Sequence, residues 1–125
     1  LSEEANSSRL KIPKSRRLRS SLDFAETYAL KHKAGNAYLL IFAARNEIGS
    51  TRIGLSVSKK NGNSVVRHRI RRLLKEAYRL EQHAVPEGLD LILIPRPNSG
   101  ATIDDYRNAI VYLSNKLQQR IPQES

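Results

Sequence analysis

The side chains of this chain best able to do chemistry are cations, and most of them stand in one run. Lys59-Lys60-Asn61-Gly62-Asn63-Ser64-Val65-Val66-Arg67-His68-Arg69-Ile70-Arg71-Arg72-Leu73-Leu74-Lys75-Glu76-Ala77-Tyr78-Arg79 holds eight Lys or Arg against a single acid, about +7 of the chain's +10 net charge. A folded element this basic repels itself unless it meets a polyanion, which points to nucleic acid. Arginine outnumbers lysine after Ser64, and its planar fork matches phosphate oxygens two at a time. The chemistry on offer is phosphate binding.

A turn signal at Asn61-Gly62 opens the run, and Asn63 or Ser64 can cap the helix that follows. At 100° per residue, Val66, Ile70, Leu73, Leu74 and Ala77 fall within about 100° of one another and form a core stripe. Arg71, Lys75, His68, Arg79 and Arg72 cover the opposite face, with Arg67 and Arg69 flanking the stripe. The start of a helix is the positive end of its dipole and favours acids. Lys59, Lys60, Arg67 and Arg69 stand there instead, an arrangement that a bound phosphate would relieve. Residue types alone leave RNA and DNA both open, and His68 serves as a donor or stacking group on that face.

No catalytic constellation accompanies these cations. There is no Ser-His-Asp arrangement, no carboxylate pair at metal-ligand spacing and no phosphate-cradling glycine loop. His32 and His83 lack partners at metal spacing, and Asp104-Asp105 is accounted for by helix capping.

The elements that must position the basic helix follow from periodicity. Leu1 to Ser8 is polar and reads as a loose end; Arg9 to Arg19 carries Arg9, Lys11, Lys14, Arg16, Arg17 and Arg19 without an acid. Ser20 or Ser21 caps a helix expected to run to about Lys33 and to stop at Ala34-Gly35-Asn36. Its Leu22, Ala25 and Ala29 share one face, and Phe24 and Tyr28 lie nearly opposite. Ala37 to Arg45 and Thr51 to Ser58 read as strands, expected to pair as an antiparallel hairpin. Leu89 to Ile94 is almost wholly apolar, the pattern of a central strand. Thr102 and Asp105 form a capping box for a helix from Ile103 to about Gln119, with Tyr106, Ala109, Ile110, Leu113 and Leu117 on one stripe. The order helix, hairpin, helix, strand, helix predicts a single α+β domain. Phe24, Tyr28, Tyr38 and Phe42 are either core or, beside a basic surface, platforms that stack unpaired bases at ~1–3 kcal/mol each.

The 125 residues suit one domain with one core. The chain has no cysteine, which excludes disulfides, thiolate chemistry and zinc fingers. No signal peptide is expected at the N-terminus, and the apolar runs fall short of the ~20 residues that cross a bilayer. Nucleic acid is the leading partner class, and an anionic membrane surface is the second.

Gly54-Leu55-Ser56-Val57-Ser58-Lys59-Lys60, followed by Gly62-Asn63-Ser64-Val65-Val66-Arg67-His68-Arg69-Ile70-Arg71-Arg72, closely resembles the signature of the bacterial ribonuclease P protein component. Arg17-Leu18 with Asp23-Phe24, and Pro95-Arg96-Pro97 before a final helix, match that family as well. The likeness covers about residues 9 to 119, leaving 1–8 as a loose segment and 120–125 as a tail. The resemblance implies a small, mostly antiparallel sheet with three helices, in the order α-β-β(-β)-α-β-α. It also implies a left-handed βαβ crossover, rare among such connections, in a ribosomal-protein-domain-2-like fold.

The implied partner is a large catalytic RNA that, with Mg²⁺, removes the 5′ leader of precursor tRNA in the cytoplasm, the protein supplying no catalytic side chain. No membrane and no obligate protein partner are implied. By motif position Arg67, His68 and Arg69, with Lys59, Lys60, Asn63, Arg71, Arg72 and Lys75 around them, would face the RNA subunit. Phe24, Tyr28 and an aromatic of the first long strand, Phe42 or else the position of Ile41, would line the leader cleft with Arg16, Arg17 and Arg19. His68 departs from the Asn usual in the family. The alternatives are a ribosomal or other structural RNA-binding protein of the same fold, and a DNA-binding regulator. Against the latter, a hairpin and not a helix is expected before the basic helix.

Overall fold

Leu89–Pro95 is buried at every position but Ile94, so it needs a neighbour on each side and cover on both faces. The computed structural model, which describes Arg17, Thr27 and residues 32–121, supplies both neighbours. Four strands, β1 (Lys33–Gly35), β2 (Leu39–Arg45), β3 (Arg52–Leu55) and β4 (Leu89–Pro95), form one sheet in the order β1-β2-β4-β3. β1 with β2 and β2 with β4 are antiparallel, and β3 runs parallel to β4. Two helices, α1 (Ser64–Glu81) and α2 (Ile103–Arg120), complete the described elements, with short 3₁₀ turns at Lys59–Asn61 and Gln82–Ala84. This is a mixed α+β domain, as expected.

Two expectations are corrected. The segments 37–45 and 51–58 do not pair as a hairpin, because β4 lies between β2 and β3. A hairpin of those two would have left the most apolar strand at an edge. The parallel partners β3 and β4 are joined by α1, the crossover that parallel pairing requires. The first helix was also carried too far. Lys33–Gly35 is a strand, and Asn36 is the turn between it and β2, its Oδ1 accepting from Tyr38 N and Leu39 N, each at 2.9 Å. The Gly-Asn pair taken for a helix stop is a hairpin turn, since both uses favour the same residues. Of the expected three helices the described residues contain two; the first lies outside them apart from Thr27, which is helical and 1% exposed.

The core occupies one face of the sheet. Leu39, Ile41 and Ala43 of β2, Ile53 of β3, and Leu89, Leu91 and Leu93 of β4 meet Leu74, Ala77 and Tyr78 of α1. The α2 stripe of Tyr106, Ala109, Ile110, Leu113 and Leu117 is buried as read from sequence. Its Thr102–Asp105 capping box is formed, Thr102 Oγ1 accepting from Asp105 N at 3.2 Å and Asp105 Oδ2 from Thr102 N at 2.9 Å. Ile121, just past α2, is also core. The second sheet face carries the alternate residues Phe42, Ile92 and Gly54, paired across three strands. Beside them Arg52 grips Asp90, its Nε and Nη2 donating at 2.9 and 2.7 Å.

Candidate nucleic-acid interface

The basic helix is placed by its first turn. Asn63 is the N-cap, its Oδ1 accepting from Val66 N at 3.0 Å. Gly62 before it has φ 133, and a Cβ there would lie 3.0 Å from that of Val66. A side chain would be strained on both counts, so the Asn-Gly-Asn run fixes how the 3₁₀ turn carrying Lys59 and Lys60 meets α1.

Leu74, Ala77 and Tyr78 anchor α1 to the core, while Val66, Ile70 and Leu73 of the expected stripe are half-buried. The opposite side is open. Lys59, Lys60, Asn63, His68, Arg69, Arg72 and Lys75 are exposed; Arg67 and Arg71 are half-buried. Among the described residues none of these Lys or Arg side chains forms an ion pair. The Nε of Arg67 is buried without a hydrogen-bond partner. At 100° per residue Arg67 and Arg71 lie on one flank of the core stripe, Arg69 on the other, and His68, Arg72 and Lys75 point away from it. Cations spread over both flanks can reach more than one phosphate strand.

Arg79 breaks the pattern. It donates to both Glu76 oxygens, Nε at 2.8 Å and Nη2 at 2.6 Å. The hydrogen bond from Arg79 holds the Glu76 carboxyl below the ordinary carboxylate value. Arg79 is therefore engaged within the helix.

The second sheet face holds the aromatic part. Strand alternation separates Ile41 from Phe42: Ile41 is fully buried among the helices, and Phe42 is half-buried on the other face. Gly54, in register across Ile92, presents no side chain beside it. Lys33 lies opposite Phe42 in β1, its Nζ 5.9 Å from the ring centroid, a cation over a π face. Sequence reading missed Lys33, because its position depends on the β1–β2 hairpin. Tyr38 packs against the core cluster instead. Arg17 is exposed and bridges Ile53 of β3 in parallel. Phe24, Tyr28, Arg16 and Arg19 lie outside the described residues.

Arg96 was also missed as a candidate. Its backbone N donates to Tyr38 O at 3.0 Å and its Nε to Asn36 O at 3.1 Å. Pro95-Arg96-Pro97 was its only sequence signal. No helix among the described residues is long and apolar enough to cross a membrane.

Comparison with known proteins agrees with this geometry. A family profile described as Ribonuclease P matches residues 12–118. The chain is 40% identical over 98 residues to the ribonuclease P protein component of Lachnoclostridium phytofermentans, covering 78% of this chain and 84% of that one. It is 37% identical over 103 residues to the component of Alkaliphilus metalliredigens, covering 82% and 93%. Among solved structures, the RNase P protein of Staphylococcus aureus superposes with a TM-score of 0.71 at 29% identity, over 87% of this chain and 100% of that one. That of Thermotoga maritima gives 0.71 at 25% identity, over 86% and 98%.

Proposed function

The chain belongs to the ribonuclease P protein family, the protein component of a tRNA-processing enzyme, and on that premise we infer that its cationic helix docks the catalytic RNA while its aromatic sheet face holds the 5′ leader of precursor tRNA. The observation that carries the reading is the set of arginines on α1 that no carboxylate among the described residues engages. Unpaired guanidiniums on a folded helix gain energy by displacing the counterions of a polyanion. Lys59, Lys60, Asn63, Arg67, His68, Arg69, Arg71, Arg72 and Lys75 form the dock. Asn63 is already committed to the cap, so its part is to hold the turn.

Leader binding falls to Phe42, with Phe24 and Tyr28, and to Arg16, Arg17 and Arg19. The half-buried Phe42 ring with the Lys33 ammonium 5.9 Å from its centroid supports this assignment, since an unpaired base can stack on an aromatic ring beside a cation. Cleavage belongs to the RNA partner, whose bound Mg²⁺ would supply the activated water. On the protein, Glu76 and Asp90 are engaged by arginines. The protein works with its RNA in the cytoplasm.

A cleavage assay tests the reading. The chain alone leaves precursor tRNA intact, and its addition to the cognate RNA raises cleavage at low Mg²⁺. An RNA whose activity is unchanged by the protein overturns the assignment.

A further inference from the structure

A groove runs between α1 and the segment that leads from β4 into α2. It is made of two adjoining hollows, of about 210 Å³ and about 540 Å³, and Arg69 and Leu73 line both. Its floor is apolar: Val66, Ile70 and Leu73 are half-buried, and Ile103 packs beside them from the first turn of α2. Its rims are cationic, with Arg69 and Arg72 exposed on the α1 side and Arg96 on the facing wall. The acid among its lining residues, Glu76, is taken by Arg79.

The facing wall is built from unusual backbone. Asn98 at φ 58 and Gly100 at φ 67 are both left-handed, and Asn98 is the one non-glycine in that region among the described residues. Asn and Gly are the residue types that take this conformation at least cost. Here Tyr106, 2% exposed, lies in the wall and is hydrogen-bonded to Ser99. Gly35 makes room for Arg96, since a Cβ there would lie 2.7 Å from Arg96 Nη2. The wall's cation is thus held in place, its Nε donating to Asn36 O at 3.1 Å.

An apolar floor between cationic rims suits an unpaired nucleotide: the base covers the floor and the flanking phosphates meet the rims. A paired base cannot enter, because its faces are already stacked. The groove is continuous with the dock, because Arg69 and Arg72 belong to both. We propose that it holds one unpaired nucleotide of the RNA subunit, with its base against Val66, Ile70 and Leu73 and its phosphates at Arg69 and Arg96. The inference rests on the reading of α1 as the dock for that RNA.

Cross-linking tests it. The chain has no cysteine, so Ser99→Cys places a single thiol on the groove wall and Val65→Cys a single thiol on the outward face of α1, where Val65 is 76% exposed. Each full-length variant, labelled with a short aryl azide, is assembled with the RNA subunit and irradiated, with and without precursor tRNA. Ala101→Cys replaces Ser99→Cys if the latter does not fold. The expected result is cross-linking of the Ser99 label to one unpaired nucleotide of the RNA subunit without precursor, alongside cross-linking from Val65. Cross-links from Val65 alone overturn the groove and leave the dock standing. A Ser99 cross-link that needs precursor tRNA, or that falls in a duplex, overturns the assigned occupant. Silence from both positions removes the dock and the groove together.

Discussion

Arg79 and Glu76 form a two-point ion pair within one turn of α1, Nη2 to Oε2 at 2.6 Å, and that pair divides the basic helix. N-terminal to it the helix cations form no ion pair among the described residues; at Arg79 the positive charge is answered from within.

Glu76→Gln should therefore extend the dock. It frees Arg79 for phosphate at the loss of a helix ion pair that solvent already weakens. RNA-subunit affinity should rise, and the plot of log affinity against log salt should steepen by about one unit. The pH dependence has a definite sign. The folded-state value of Glu76 is lowered, so the pair's contribution is present above the ordinary carboxylate range and is lost as pH falls through the lowered value. A urea melt series in acid should show that loss in the parent and not in Glu76→Gln.

Arg72→Ala removes an exposed cation with no ion pair among the described residues, so stability should change by less than about 0.5 kcal/mol. The salt slope for RNA-subunit binding should fall by about one unit. An unchanged slope with unchanged affinity would take Arg72 out of the interface.

Ile41 and Phe42 should fail differently. Ile41→Ala opens a cavity at a fully buried core position and should cost about 2–5 kcal/mol in a urea melt. Phe42→Ala should leave a folded protein that assembles with the RNA and loses discrimination between precursor and mature tRNA. Equal loss of affinity for both would show that Phe42 does not meet the leader.

His68 is exposed on the cationic face, beside Arg69 and Arg72 on the helix surface. His68→Ala removes a hydrogen-bonding ring from that face, so RNA-subunit affinity should fall while stability changes by less than about 0.5 kcal/mol. Unchanged affinity would take His68 out of the interface.

Whatever depends on near neighbours in the chain was legible from the sequence. The Asn63 cap, the Thr102–Asp105 box, the α2 stripe and the basic face of α1 all follow from helical spacing and local hydrogen bonding. Even the Glu76–Arg79 pair had a signal, an acid three residues before an arginine. The central place of β4 could be read from its unbroken apolar run.

Only the tertiary structure decided which strands meet. Two strands a short turn apart look like a hairpin, and nothing local in 39–45 or 52–55 shows that 89–95 will come between them. Pairing is a long-range choice, made by burying the most apolar strand. That choice also put Ile41 in the core and Phe42 on the opposite face, because side chains alternate with a period of two and a one-residue shift exchanges the faces. Lys33 beside Phe42, and Arg96 across the groove from Arg69, are brought together by the tertiary fold. The sequence by itself determined a helix able to meet a polyanion; the packing of the sheet beneath it determined which other side chains stand beside that helix.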